Sequence, residues 1–449
     1  MPDQPNAAVS ASPPVPHPRQ MAWHELGFTG FIHFGPNTFT GREWGDGTEP
    51  AAVFQPTQLD AGQWVRAFKS AGARGIVVTA KHHDGWCAWP TKLSAHRVSA
   101  SPWRGGKGDV LRELSDACRA EGMKFGVYLS PWDRNNPAYG SGEPYNEFFR
   151  GQLREVLTNY GPIFEVWFDG ACGEGPDGRR QQYDWPSFVA VVRELQPDAV
   201  IFSDVGPDIR WVGNEQGHAG ETCWGMLNAA GHGRGAENPP PTRSLYEGDA
   251  LGTEWIPAEC DVSIRPGWFY RASEDDKVKT AQQLFALYEQ SAGRNANFHL
   301  NVPPDSRGLL HDNDVRALRE LGGMIRATYG AESDLSAGAE RRASEGQVQL
   351  LLKRPTQFDR VLIREDVARG QRIRAFVVEV QSRAPHDEAE PGAGAWREVA
   401  RGTTVGIRRM VAVPPCTATA LRVRVLDANG VPCIERVTLH AAPAGDVHR

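Results

Sequence analysis

The sequence predicts an α/β fold, a (β/α)8-like barrel of the TIM type followed by a C-terminal β-sandwich. Three observations lead there. From about residue 28 to 329, short apolar runs alternate with amphipathic stretches, the pattern of repeated βα units around a parallel sheet. Past Tyr329 the helical pattern stops, and alternating strands separated by Gly, Pro and Asp turns take over. At 449 residues the chain exceeds the usual single-domain size and has room for one large barrel plus a smaller domain.

Residues 1–20, MPDQPNAAVSASPPVPHPRQ, are rich in Pro, Ala and Ser and lack the apolar core of a secretion signal, so they read as a disordered lead-in. The barrel is expected over 21–330. Its strands read as GFIHF (30–34), GIVVTA (75–80), FGVYLS (125–130), FEVWF (164–168), AVIFS (199–203) and NFHLNV (297–302). The helices between them read as Ala61–Ala71, Asp109–Glu121, Tyr145–Tyr160, Trp185–Leu195, Glu274–Ser291 and Asp312–Thr328. An eight-stranded barrel then needs two more strands, which must hide in Asp204–Gly267, a Gly-, Pro- and Trp-rich region. A loop region this long in a compact domain is usually functional or mobile. Residues 331–345 read as a linker and 346–449 as the β-sandwich.

Composition narrows the function. A formal net charge of -6 provides no basic field for nucleic acid. Fourteen tryptophans offer flat faces for stacking on sugar rings, although core packing also uses them. The seven cysteines are scattered, odd in number and without CxxC spacing, which argues against a zinc site or a disulfide framework. No run reaches membrane-span length. No cofactor is called for, and the oligomeric state stays open. The compartment is periplasmic or extracellular if a signal has been removed, and cytoplasmic otherwise.

In such barrels the chemistry gathers at the C-terminal ends of the strands. The first expected strand ends at His33, with Glu43 and Trp44 following. The second ends in KHHDGW, which supplies His82, His83 and Asp84. The third leads through Tyr128 to Trp132, Asp133 and Arg134, the fourth to Asp169 and the fifth to Asp204. One histidine after an apolar run is more often structural than catalytic, but recurrence at successive strand ends favours a shared pocket suited to a sugar. His82 and His83 are adjacent on an extended segment, so their side chains diverge, and binding separate hydroxyls is easier than sharing one ion. The glycine-rich loop after Asp169 separates it too far from the helix at Trp185 for a capping role.

Glycoside hydrolysis needs two carboxyl groups. Asp169 is the natural nucleophile, and Glu215, Glu221, Glu237, Glu247 and Glu254 are the candidates for the acid. Two other classes compete: a metal-dependent hydrolase barrel using His82, His83, Asp84 and Asp169, and a carbohydrate-binding protein without turnover.

Six motifs, FIHFGPNTFTGREWGDG, KHHDGWCAWPT, GVYLSPWDRN, EVWFDGA, RWVGNEQG and SIRPGWFY, run in order from Phe31 to Tyr270. Together they resemble the α-L-fucosidases of glycoside hydrolase family 29, most closely the subgroup acting on α-1,3- and α-1,4-linked fucose of Lewis-type glycans. The resemblance implies a retaining exo-acting enzyme with Asp169 as nucleophile and Glu215 as acid/base. It also implies fucose-binding roles for His33, Glu43, Trp44, His82, His83, Tyr128, Trp132, Arg265 and Trp268, with no metal. The partner implied is a fucosylated oligosaccharide or glycoconjugate. Asn135 departs from the pattern, standing where a histidine is half expected. The C-terminal sandwich is read as packing against the barrel, since Trp396 alone offers an aromatic platform there.

Overall fold

A computed structural model describes residues 13–233, 238–382 and 395–443. Strands β1 (Phe28–Ile32), β2 (Gly75–Lys81), β3 (Lys124–Leu129), β4 (Ile163–Trp167), β5 (Val200–Ser203), β6 (Ile209–Trp211), β7 (Ala258–Ser263) and β8 (Asn297–Asn301) are parallel neighbours. They close into a barrel in the order β1-β8-β7-β6-β5-β4-β3-β2. The two strands hidden in Asp204–Gly267 are β6 and β7. Between them, residues 226–227 and 254–255 form a small antiparallel pair.

Side-chain alternation sorts each strand into two faces. On β4, Val166 joins the core between strands and helices, whereas Glu165 and Trp167 face the barrel axis. On β7, Ala258, Cys260 and Val262 take the outer face, and Glu259, Asp261 and Ser263 the inner one. Two of the helices that pack on the sheet begin where a short polar side chain caps free N–H groups. Asp60 accepts from the Gln63 N–H to start Ala61–Ala71, and Asp109 from the Arg112 N–H to start Val110–Glu121. The first of these buries Trp64, Val65 and Phe68 against the sheet, each contributing about 1.5–3 kcal/mol.

Residues 18–20 correct the expected lead-in. A helix spans Pro18–His24, opened by a capping box between His17 and Gln20. It folds because Trp23 enters the barrel floor, its Nε1 donating to Glu165 Oε2 at 3.0 Å, and Gln20 donates to the Asp208 and Trp255 carbonyls. Residues 1–12 lie outside the described residues. Among the described residues, no helix is long and apolar enough to cross a membrane.

The C-terminal strands are β9 (Glu340–Ser344), β10 (Gln347–Glu365), β11 (Ile373–Gln381), β12 (Arg397–Gly402), β13 (Arg409–Ala428) and β14 (Ile434–His440). They pair antiparallel in the order β9-β10-β13-β11-β12, with β14 on β10. Residues 340–344, expected within the linker, belong to this sheet because they extend the β10 edge. Register shifts between Leu351/Thr356 and Phe358/Arg360 bend the two long strands, β10 and β13. Val348, Leu350, Phe358, Val361, Phe376 and Leu421 fill the resulting β-sandwich.

The sandwich grips one barrel loop. The Cys223 N–H donates to Thr404 Oγ1 at 2.9 Å, and the Gly225 N–H donates to Gln371 Oε1 at 2.7 Å. Asn295 ties the seam, donating to the Cys223 carbonyl and accepting from the Ile407 N–H. This loop continues directly from the segment that carries Glu215.

Candidate active site

A cavity of about 130 Å³ opens at the C-terminal mouth of the barrel. Phe31, His33, Glu43, Trp44, His82, His83, Tyr128, Trp167, Asp169, Ala171, Glu215, Asp261 and Trp268 line it. A larger cavity, about 550 Å³, lies at the opposite end near Phe125, Ile163 and Phe164, where the strands begin. Chemistry in this fold belongs to the other face.

Asp169 stands two residues beyond β4. Its Oδ2 accepts from the Tyr128 O–H at 2.8 Å and its Oδ1 from the Ala171 N–H at 2.7 Å, bonds that stabilise a carboxylate. His83 Nε2 lies 3.7 Å from Oδ2. The glycines after Asp169 are places of close approach. A Cβ at Gly170 would fall 2.3 Å from an Asp204 carboxylate oxygen, and one at Gly173 would fall 2.1 Å from the Trp132 ring. Any larger residue there would displace Trp132, whose Nε1 donates to the Glu174 carbonyl at 3.0 Å.

The three histidines are held as neutral rings. Burial lowers the His33 pKa to about 4, pulls His82 well below its ordinary value, and lowers His83. Neighbouring bonds set two tautomers. Asn301 donates its Nδ2 to the Trp268 carbonyl, so its Oδ1, 2.9 Å from His33 Nδ1, accepts the His33 proton. Ser130 donates to the Trp132 carbonyl, so His83 Nδ1 donates to Ser130 Oγ at 2.9 Å. Both rings therefore offer Nε2 as an acceptor. His82 lies near-parallel to Tyr128 at 15°, and its Nδ1 is buried without a partner.

Glu215 occupies the exposed rim on the loop after β6. Partial burial raises its pKa, the negative charges of Asp169 and Glu43 add to the rise, and the Trp268 indole N–H at 3.3 Å opposes it. Trp268 is itself fixed by Glu43, which accepts its backbone N–H at 2.6 Å while pairing with Arg271 at 2.6 Å. Trp44, 53% exposed, stands edge-on to His83 and Trp132 at 5.4 and 5.6 Å. Asn135 donates to the Gly47 carbonyl at 2.7 Å, fastening the loop that carries Glu43 and Trp44.

Most residues singled out from the sequence converge here, but several do not. Trp132 backs His83 from behind, at 4.8 Å, without lining the cavity. Arg265 is a correction. Its side chain is fully buried away from the pocket, paired with Asp275 at 2.9 Å and Asp314 at 3.0 Å. Asp84 turns inward, accepting from the Trp86 N–H, and burial raises its pKa to about 7. Asp133 pairs with buried Lys81 at 3.1 Å. Of the described acid candidates, Glu215 lines the cavity, whereas Glu221, Glu247 and Glu254 do not; Glu237 lies outside the described residues. No group of three or more His, Cys, Asp or Glu among the described residues is arranged to hold a metal ion. Sequence reasoning missed Phe31, Trp167, Ala171 and Asp261. The period-two acids of AECDVS, Glu259 and Asp261, were the available signal for the last.

Comparison with known proteins places this geometry in context. A family model described as alpha-L-fucosidase matches residues 39–329. Alpha-L-fucosidase 1 of Arabidopsis thaliana is 41% identical over 427 residues, covering 89% of this chain and 81% of that protein. A crystal structure of a glycoside hydrolase 29 family member from an unknown rumen bacterium is 40% identical, with a TM-score of 0.88 over 96% of this chain and 78% of that one. A Ruminococcus gnavus GH29 fucosidase solved in complex with fucose is 28% identical, with a TM-score of 0.84 over 98% of each chain.

Proposed function

Because this chain belongs to the α-L-fucosidases of glycoside hydrolase family 29, we propose that it removes terminal α-1,3- and α-1,4-linked L-fucose from Lewis-type or related glycans with retention of configuration. The observation that carries this reading is Asp169, a carboxylate held by two donors at the end of a barrel strand, with Glu215 across the same small cavity. Two carboxyls with different environments are what a double displacement asks for.

Fucose occupies the cavity, whose small volume suits a single terminal sugar. The neutral His33 and His83 accept from its hydroxyls, and its C5 methyl rests against aromatic rings. Asp169 attacks the anomeric carbon from the face opposite the leaving group, and the C1–O bond to the aglycone breaks. Glu215 gives its proton to the departing oxygen. Its pKa, raised by partial burial and the nearby negative charges, favours its holding that proton. Glu215 then takes a proton from water, which attacks C1 and releases Asp169. Trp44 and Trp268 at the rim meet the remainder of the glycan.

The test is a substrate panel: an aryl α-L-fucoside, a branched Lewis trisaccharide and an α-1,2-fucosylated disaccharide, with the product anomer followed by NMR. Release of α-L-fucose first, with preference for the trisaccharide over the disaccharide, is the expected result. Initial release of the β-anomer would overturn retention, and preference for the α-1,2 linkage would overturn the subgroup.

A further inference from the structure

Four carboxyl groups line the pocket: the proposed reaction uses Asp169 and Glu215, and Glu43 is held by Arg271 and the Trp268 backbone N–H. The fourth is Asp261 on β7, 4% exposed. Negative charges crowded into so small a space repel, which favours a second protonated group beside Glu215, the proposed proton donor. Where hydrogen-bond donors stand decides which. Asp169 has the Tyr128 O–H and the Ala171 N–H, and Glu215 has the Trp268 indole N–H. Asp261 has only its own backbone N–H close by, and its Oδ1 is buried without a partner. The charges acting on it are all negative: Glu259 below it on β7, and Glu215 and Asp169 across the pocket. Its backbone partner on β8 is His299, which burial keeps neutral.

Beyond the rim indole of Trp44 and the single N–H of the neutral His82 ring, the donors of the pocket are already committed. The Tyr128 O–H and the Trp167 and Trp268 indole N–H groups are already engaged by carboxylates. His33 and His83 present acceptors. A sugar hydroxyl that donates to a histidine still needs a donor for its own oxygen. We propose that Asp261 is a substrate-positioning residue that holds its proton and donates it in a hydrogen bond to a hydroxyl of bound fucose. This rests on the fucoside reading of the pocket given above.

The experiment compares the full-length wild type with Asp261→Ala and Asp261→Asn. Its readouts are KM for an aryl α-L-fucoside and the affinity for L-fucose by calorimetry across pH. Asp261→Ala should weaken both by about 10- to 100-fold, and Asp261→Asn, which keeps a donor, should recover most of that loss. Wild-type affinity for L-fucose should fall as rising pH strips the Asp261 proton, and Asp261→Asn should lack this fall. An asparagine variant as weak as the alanine one, or an alanine variant that binds like wild type, would overturn the proposal. Thermal melts report whether each variant folds; should Asp261→Ala fail to, the pH dependence of wild type against Asp261→Asn decides alone. A wild type that neither cleaves the fucoside nor binds L-fucose defeats the functional reading itself. Normal turnover with indifferent Asp261 variants defeats only this inference.

Discussion

Glu165 and Asp169 lie four residues apart along β4 and its extension, and both face the barrel axis, yet the surroundings make them different acids. Asp169, at the open end, keeps 22% of its side chain exposed and receives an O–H and an N–H. Glu165, near the floor, is fully buried. One of its oxygens accepts from the Trp23 indole and the other is buried without a donor, while burial drives its pKa up. Glu259 beside it is raised for the same reason and by the Glu165 charge, so the two share protons more readily than charges. The contrast teaches that the donors and solvent around a carboxyl, more than its residue type, set its charge.

Removing the proposed nucleophile gives the largest expected effect. Asp169→Ala should lower kcat on an aryl fucoside by on the order of 10⁴-fold or more, whereas Glu165→Gln should stay within about tenfold of wild type. Equal losses would erase the contrast. Glu215→Ala comes next, at roughly 10²- to 10⁴-fold, and should be milder on an aryl fucoside with a good leaving group than on a trisaccharide. A uniform loss across leaving groups would mean that Glu215 is not the proton donor.

Arg265 extends the comparison to a buried charge near the rim. Arg265→Met strands Asp314, whose pKa burial already raises to about 6, and should cost about 3–5 kcal/mol of stability in a denaturant melt. Its KM for an aryl fucoside should change far less than in Trp268→Ala.

A subtler measurement reads the floor directly. Because the Glu165 pKa is raised on folding, the native state holds a proton that the unfolded chain has released. The Glu165 contribution to stability should therefore be fully present in acid and fall as pH rises from the ordinary glutamate range toward neutrality, by at most about 1.4 kcal/mol per pH unit. Glu165→Gln should flatten that slope; an unchanged slope would show that the floor does not hold the proton. The smallest effect is expected from exhaustive chelation, which should leave kcat/KM unaltered and would, if it abolished turnover, revive the metal-dependent reading.

Much of the barrel was legible because strands such as GIVVTAK are buried on both faces and read as continuous apolar runs. The strands that escaped did so for physical reasons. β6 is three residues long, too short for any period to show. β7 points two acids into the barrel, so AECDVS looks like a polar loop, and Asp261 escaped with it. At the ends of the first four strands, position alone pointed to His33, His82, His83, Tyr128 and Asp169, which line the cavity, and also to Asp84, Trp132 and Asp133, which do not. Arg265 misled because it sits three residues from Trp268 in one motif, while its side chain is buried on Asp314 and Asp275 and that of Trp268 reaches Glu215. Glu43 showed its position but not its bonds: it braces Trp268 through a backbone N–H and answers Arg271, a residue no motif reading singled out.

The seam between barrel and sandwich bears on how such proteins can be rearranged. Thr404, Gln371 and Asn295 clasp residues 223–225, directly downstream of the Glu215 loop. The sandwich therefore acts as a splint for this part of the barrel, and the two cannot be exchanged as independent cassettes. A chimera that grafts a foreign sandwich onto this barrel inherits the alignment of the Glu215 loop only if it also reproduces that clasp.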